Sequence, residues 1–127
     1  MSSFIAPSAQ PAGLAFDGTN LISFTDGNDK INIHDGVSAT VTSSFNPPEA
    51  SGNSALAFDG TNLISLNGSS DTIYVHDGVS ATITNSFSTA SGSPSGLTYD
   101  GTNLIDVSSL ASDSDEKVHI YDGVSST

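Results

Sequence analysis

The chain has 127 residues, enough for one modest domain, and it carries 14 Asp and Glu side chains against 2 Lys and Arg, a formal net charge of -12. Nucleic acid and anionic lipid are bound through Lys and Arg, so neither is expected as a partner, and we interpret the acidity as a means of keeping the chain soluble and free of wrong contacts. Cysteine is absent, which excludes disulfides and thiolate metal sites, and we expect neither a signal peptide nor a membrane span.

A tandem repeat organises the sequence. The nine residues Ala15 to Ser23 return unchanged as Ala57 to Ser65 and, with changes, as Thr98 to Asp106. Leu14, Leu56 and Leu97 occupy equivalent positions, 42 and then 41 residues apart. A period of this length indicates stacked supersecondary units.

The N-terminal segment, residues 1–12, matches the end of a repeat rather than its start. Ser2-Ser3-Phe4 corresponds to Ser43-Ser44-Phe45 and to Asn85-Ser86-Phe87. We therefore predict that residues 1–12 form the outer strand of a unit. Three units follow, over residues 13–54, 55–95 and 96–127, and the third is expected to lack its own outer strand.

Each unit is predicted to contain four strands. In the first unit, strands at Leu14–Phe16 and Leu21–Phe24 flank the dipeptide Asp17-Gly18, a strong hairpin signal. Ile31 to His34 alternates apolar and polar residues, as a strand does. A second Asp-Gly pair leads to a last strand around residues 39–45, which ends before Pro47-Pro48. Helical periodicity is absent, so the fold class is all-β.

Four short antiparallel strands repeating every 41 to 42 residues are typical of a β-propeller blade. The chain has no Trp and lacks the signature of WD repeats. Its opening Leu-Ala-Phe-Asp-Gly-Thr-Asn-Leu-Ile, residues 14–22, resembles the blades of NHL-type or surface-layer-like propellers. That resemblance implies a fold of four-stranded blades and no particular function.

Three blades are too few for a closed ring, because propellers usually have about 4 to 8. The matching N-terminal segment resembles the closure known as Velcro, in which the last blade takes a strand from the N-terminus. We predict head-to-tail association of identical chains. A homodimer with six blades is favoured and a homotrimer with nine is the alternative. The residues expected at this closure are Ser3, Phe4, Ile5 and Val124.

Candidate ligand-binding residues come from the third strand of each unit. His34 and His76 are equivalent, the third unit has Tyr121 there, and Tyr74 is a further candidate. We expect the two histidines mainly as partly exposed strand residues beside a turn. The repeated Asp-Gly pairs are interpreted as turn formers.

A calcium site is the one cofactor that the sequence suggests. Asp26 and Asp29 lie in one oxygen-rich loop, and Asp113 and Asp115 lie in another. Calcium takes six to eight oxygen ligands, but these loops differ in length and match neither an EF-hand nor a nonapeptide repeat.

Nothing in the sequence matches a catalytic motif, and no unit was expected to carry a unique pair of acid and base. We therefore predict a chain that is not an enzyme: a non-catalytic, self-assembling propeller scaffold, either a natural array or an engineered fragment. The alternatives are a lectin-like binding module with equivalent pockets between blades and a propeller hydrolase with a metal in its central channel. Identical pocket residues in every unit would favour binding, and a site confined to one unit would favour catalysis.

Overall fold

The structure is a computed structural model that describes residues 1–109 and 116–127. Within these residues all regular elements are β-strands, which confirms the all-β class. The described part of the chain contains no helix long and apolar enough to span a membrane. Eleven strands form three antiparallel sheets, and in each sheet the neighbours along the chain are neighbours in space.

The three sheets are named blades 1 to 3. Blade 1 consists of β1 (Pro11–Phe16), β2 (Leu21–Thr25), β3 (Lys30–His34) and β4 (Val41–Phe45). Blade 2 consists of β5 (Asn53–Phe58), β6 (Leu63–Asn67), β7 (Thr72–His76) and β8 (Ile83–Ser88). Blade 3 has three strands among the described residues, β9 (Pro94–Tyr99), β10 (Leu104–Ser108) and β11 (Lys117–Ile120).

The Asp-Gly pairs form turns, as the sequence indicated. Asp17 Oδ1 accepts hydrogen bonds from the backbone N–H groups of Thr19 and Asn20, at 2.8 and 2.7 Å. Gly18 has a φ of 97°, a conformation that glycine adopts without steric cost. Asp59 and Asp100 make the same two bonds in blades 2 and 3.

A second set of bonds joins the first hairpin of each blade to the loop after its third strand. In blade 1, Asn20 Oδ1 accepts from the N–H of Gly36 at 3.0 Å, and the N–H of Leu21 donates to the Gly36 carbonyl at 2.9 Å. Asn62 with Gly78, and Asn103 with Gly123, repeat the side-chain bond. The two Asp-Gly motifs of the repeat are therefore parts of one hydrogen-bonded unit.

The blades pack face to face through their apolar side chains. Ile22, Phe24 and Ile31 of blade 1 form one buried cluster with Leu56 and Leu63 of blade 2. A second cluster joins blades 2 and 3, and its buried members are Ala55, Ala57, Ile64, Leu66, Ile73, Leu104 and Tyr121. The first strands of the blades are adjacent, since β1 contacts β5 and β5 contacts β9. Strands β1 and β9 do not touch, so the described blades form an open arc.

Two predicted boundaries differ from the structure. Residues 1–10 are not in a strand, and β1 already begins at Pro11, inside the segment that was expected to be an outer strand. The reason is that Pro11 and Gly13 pair with Thr25 and Phe24 around a bulge, which lengthens the first hairpin. The last strand of blade 1 begins at Val41 rather than near residue 39, because the N–H of Asp35 donates to the carbonyl of Thr40 and closes the loop before it.

Candidate functional site: the free blade faces and the polar network of blade 3

Blade 1 leaves one apolar face uncovered. Leu14 is 64% exposed, whereas Leu56, its equivalent in blade 2, is 4% exposed because blade 1 covers it. Val37 is also exposed, whereas its equivalents Val79 and Val124 pack against the clusters between blades. The free face of blade 1 thus presents side chains of the kind that blades 2 and 3 bury.

Blade 3 leaves the opposite face uncovered. Val118 and Ile120 are each 66% exposed, whereas their equivalents in blade 2, Ile73 and Val75, are 0% and 7% exposed. Val107 in the neighbouring strand is 40% exposed. The two ends of the arc therefore show the two halves of an interface that the chain forms twice within itself.

The predicted closure residues lie at separate places. The ring of Phe4 lies 6.0 Å from that of His34, as Phe45 lies 5.9 Å from His76 and Phe87 lies 5.8 Å from Tyr121. Phe4 thus covers blade 1 as the last strand of a blade covers the next one. Ser3 and Ile5 are exposed beside it. Val124 is not with them, because it packs between blades 2 and 3.

The two equivalent histidines are buried, not partly exposed as expected. His34 Nε2 lies 2.8 Å from Ser23 Oγ, and His34 Nδ1 lies 2.7 Å from the carbonyl oxygen of Ser38. His76 makes the same two contacts with Ser65 and Ser80, and burial lowers its pKa. A carbonyl only accepts, so Nδ1 carries the proton and Nε2 accepts from the serine hydroxyl. Both ring nitrogens are therefore engaged within the blade.

Blade 3 replaces this pair by a carboxylate and a phenol. Asp106 stands where the other blades have serine, and Tyr121 stands where they have histidine. The Tyr121 hydroxyl donates to Asp106 Oδ2 at 2.5 Å and accepts from the N–H of Ala90 at 2.9 Å. Burial, and then the bond to Asp106, raise the pKa of Tyr121 to about 12. Tyr121 is 3% exposed, so it is a core residue of the interface between blades.

A histidine that the sequence analysis passed over completes this polar network. His119 Nδ1 lies 2.8 Å from Asp106 Oδ1, and His119 Nε2 lies 3.2 Å from Ser91 Oγ. Ser91 Oγ also lies 2.8 Å from Ser108 Oγ. The expectation that no unit carries a unique acid and base pair was wrong. The sequence signal was that two equivalent positions, 106 and 121, depart from the repeat in the same unit.

Tyr74 occupies in blade 2 the position that His119 has in blade 3. Its hydroxyl donates to Glu49 Oε1, which also accepts from the hydroxyl of Ser70. Burial raises the pKa of Tyr74, and the bond to Glu49 adds to that effect. The phenol therefore ties the connection between blades 1 and 2 to the third strand of blade 2.

The predicted calcium ligands do not come together in the described residues. Asp26 Oδ1 is buried without a hydrogen-bond partner, and Asp29 lies in the same loop with a φ of 50°. No group of three His, Cys, Asp or Glu side chains that could hold a metal occurs within residues 1–109 and 116–127. Asp113 and Asp115 lie outside the described residues.

The first hairpins of the three blades meet around one concave surface. Phe16, Phe58 and Tyr99 line it together with Asp17, Asp59 and Asp100, and its volume is about 520 Å³. These are equivalent positions of the repeat, so each blade contributes one aromatic ring and one carboxylate. The sequence analysis had assigned these aspartates to turns alone.

Comparisons with known proteins bear on the fold. No family model and no curated protein matches the chain. Among solved structures, the chain is similar to a glutaminyl cyclase from Myxococcus xanthus, with a TM-score of 0.71 and 20% identity over 92% of this chain and 47% of the other. It is also similar to a mitotic checkpoint complex chain, with a TM-score of 0.67 and 24% identity over 92% and 36%.

A third similar structure is the hydrazine synthase of Kuenenia stuttgartiensis, with a TM-score of 0.64 and 20% identity over 84% of this chain and 33% of the other. The chain spans less than half the length of each of these three structures. At such identity the likeness concerns the fold alone. Together with the stacked antiparallel sheets, it shows that the chain has the β-propeller fold, with one sheet for each repeat.

Proposed function

We propose that the chain is a self-assembling β-propeller scaffold that closes into a ring with a second copy of itself. One observation carries the proposal: residues at equivalent repeat positions are buried between blades inside the chain and exposed at the two ends of the arc. Leu14 with Leu56, and Val118 with Ile73, are the clearest pairs.

A second copy is the occupant whose surface already fits. The far face of blade 3 carries residues equivalent to those that blades 1 and 2 pack against their successors. The near face of blade 1 carries residues equivalent to those that receive them. A contact of this head-to-tail kind must close or continue as a filament. Two chains give six blades, inside the usual range of about 4 to 8, and three chains give nine.

The N-terminal segment supports the same arrangement. Ser44 lies opposite Asn32 in blade 1, and Ser86 lies opposite Tyr74 in blade 2. Ser3 is the equivalent of both serines, and His119 is the equivalent of Asn32 and Tyr74. In the proposed ring, Ser3 of one copy therefore lies opposite His119 of the next, and Phe4 and Ile5 continue along the edge of β11.

The first experiment is the solution mass by light scattering after size exclusion, over a range of concentrations. We expect twice the chain mass of 12.9 kDa. Val118→Lys places a charge on the free face of blade 3 and should return the mass of one chain. Thr61→Lys, at an exposed turn, is the control and should leave the dimer intact. A wild-type chain that stays monomeric at every concentration contradicts the proposal.

A repeat-based binding module is the second candidate, because each blade contributes an aromatic ring to the same concave surface. Aromatic faces are suited to apolar faces of sugars or to cations. Calorimetric titration with monosaccharides and with a quaternary ammonium salt tests it. Binding that is lost in Phe58→Ala would favour this candidate. The finer blade type, NHL-like or surface-layer-like, is part of the proposal and is supported by the sequence of the first hairpin.

A further inference from the structure

We propose that Ser91 is a reactive nucleophile, activated by His119 and Asp106, and that it hydrolyses small activated acyl esters. This activity is additional to a scaffold role and does not depend on it, because the three residues lie between blades 2 and 3 of one chain. It also departs from the sequence-based expectation that the chain is not an enzyme.

The hydrogen bonds assign a role to each atom. The Asp106 carboxylate only accepts, so the 2.8 Å contact places a proton on His119 Nδ1. In the neutral ring, Nε2 then carries the lone pair, and Ser91 Oγ lies 3.2 Å from it. A nucleophile, a base and a carboxylate that orients the base form a constellation that is recognised by geometry and roles rather than by fold.

The carboxylate is held in place while the other two groups stay accessible. Asp106 is 1% exposed, and its second oxygen accepts from the Tyr121 hydroxyl, so its rotation is prevented. The His119 side chain is 18% exposed, and Ser91 is half-buried. Ser108 is buried and its hydroxyl can donate to Ser91 Oγ at 2.8 Å, which leaves the Ser91 proton directed at His119.

The other two blades provide an internal contrast. Ser23 with His34, and Ser65 with His76, also place a serine oxygen next to Nε2. Their Nδ1 atoms face backbone carbonyls rather than a carboxylate. Both histidines and both serines are at most 5% exposed. Only the blade 3 arrangement, among the described residues, joins a carboxylate to a serine and a histidine that solvent can reach.

The reaction follows from these positions. Ser91 Oγ attacks the acyl carbonyl carbon while its proton passes to His119 Nε2. The tetrahedral adduct collapses, the C–O bond to the leaving group breaks, and Nε2–H protonates the departing alcohol or phenol. Water then attacks the acyl-serine ester, His119 takes the water proton and returns it to Ser91 Oγ, and the free acid leaves. The substrate class is an aryl ester, whose phenolate leaves with little assistance.

Labelling with a fluorophosphonate tests the nucleophile directly. The Ser91 oxygen displaces fluoride, and intact-mass and peptide mass spectrometry locate the adduct. We expect one adduct per chain, at Ser91, and no adduct in Ser91→Ala. Ser95→Ala changes an exposed serine of the same region and should be labelled like the wild type. Loss of the general base in His119→Gln should slow labelling by about 100-fold or more.

The pH dependence separates activation from ordinary hydroxyl reactivity without any variant. A rate that rises and levels off near neutral pH supports a histidine base. A rate that keeps rising by about tenfold per pH unit into the alkaline range refutes it. Absence of an adduct, an adduct that persists in Ser91→Ala, or equal rates in folded His119→Gln and the wild type also refute the proposal. Val118→Lys, which should dissociate the ring, should keep its labelling rate.

Discussion

Replacing Leu56 or Leu14 by alanine compares the same side chain at equivalent positions of two blades. Leu56 is 4% exposed and packs with Ile22, Phe24 and Ile31. A buried Leu→Ala substitution costs about 2–5 kcal/mol of unfolding free energy, through lost transfer energy and the cavity that remains. Leu14 is 64% exposed in the single chain, so its loss there should change stability by no more than about 0.5 kcal/mol.

Closure of the ring changes the second number. If blade 3 of another copy covers Leu14 as blade 1 covers Leu56, Leu14→Ala should cost about as much as Leu56→Ala. Because association stabilises the folded chain by mass action, that cost should also depend on protein concentration. The difference between the two variants therefore measures how far the free face is covered in solution.

Urea unfolding at two protein concentrations, about 100-fold apart, is the assay, with the midpoint and slope taken from each curve. We expect Leu56→Ala to lower the midpoint at both concentrations, and Leu14→Ala to lower it more at the higher one. A Leu14→Ala midpoint equal to that of the wild type at every concentration refutes ring closure. A neutral Leu56→Ala refutes the assigned core between blades 1 and 2.

Three further predictions concern hydrogen bonds and titrating groups. Asn62→Ala removes the acceptor for the N–H of Gly78 and should lower the unfolding free energy by about 1 kcal/mol, whereas Thr61→Ala should be nearly neutral by the same denaturation assay. The pKa of Tyr121 is raised from 10.0 to about 12, so its neutral form stabilises the fold below pH 10, and this contribution is lost as the pH rises from 10 to 12; Tyr121→Phe should flatten that alkaline loss in thermal melts. Burial lowers the pKa of His76 from 6.5, so its contribution is present above that pH and is lost as the pH falls below it, which urea midpoints across the acidic range should show.

The repeat predicted the fold because its signals are local. A turn such as Asp17-Gly18 needs only its own residues to form, and the alternation from Ile31 to His34 already shows which side chains share a face. These signals recur in phase, so the blade and its period followed from them. The fraction of each side chain that is exposed could not follow in the same way. Leu14 and Leu56 have the same neighbours in sequence, and only the presence of an adjacent blade makes them different.

The polar interior of the blades was harder to predict from sequence. His34 and His76 precede an Asp-Gly turn, which suggested the surface, but each ring is covered by a phenylalanine that lies about one repeat earlier in the chain. The network around His119 depends on Ser91 from the preceding connection and Asp106 from the preceding strand. Neither contact leaves a trace in the spacing of one repeat, because both join segments that come close only through the stacking of blades.

The contact between the last strand of one blade and the polar centre of the next has a consequence for how such an array can lengthen. Phe45 over His76 and Phe87 over Tyr121 show that the packing unit crosses the boundary of the sequence repeat. Inserting any whole period of 41 or 42 residues therefore reproduces a complete junction, whichever residue the insertion begins at. Stability then grows by one nearest-neighbour increment for each added unit, as in other repeat arrays. Gene duplication could extend this chain without inventing a new interface.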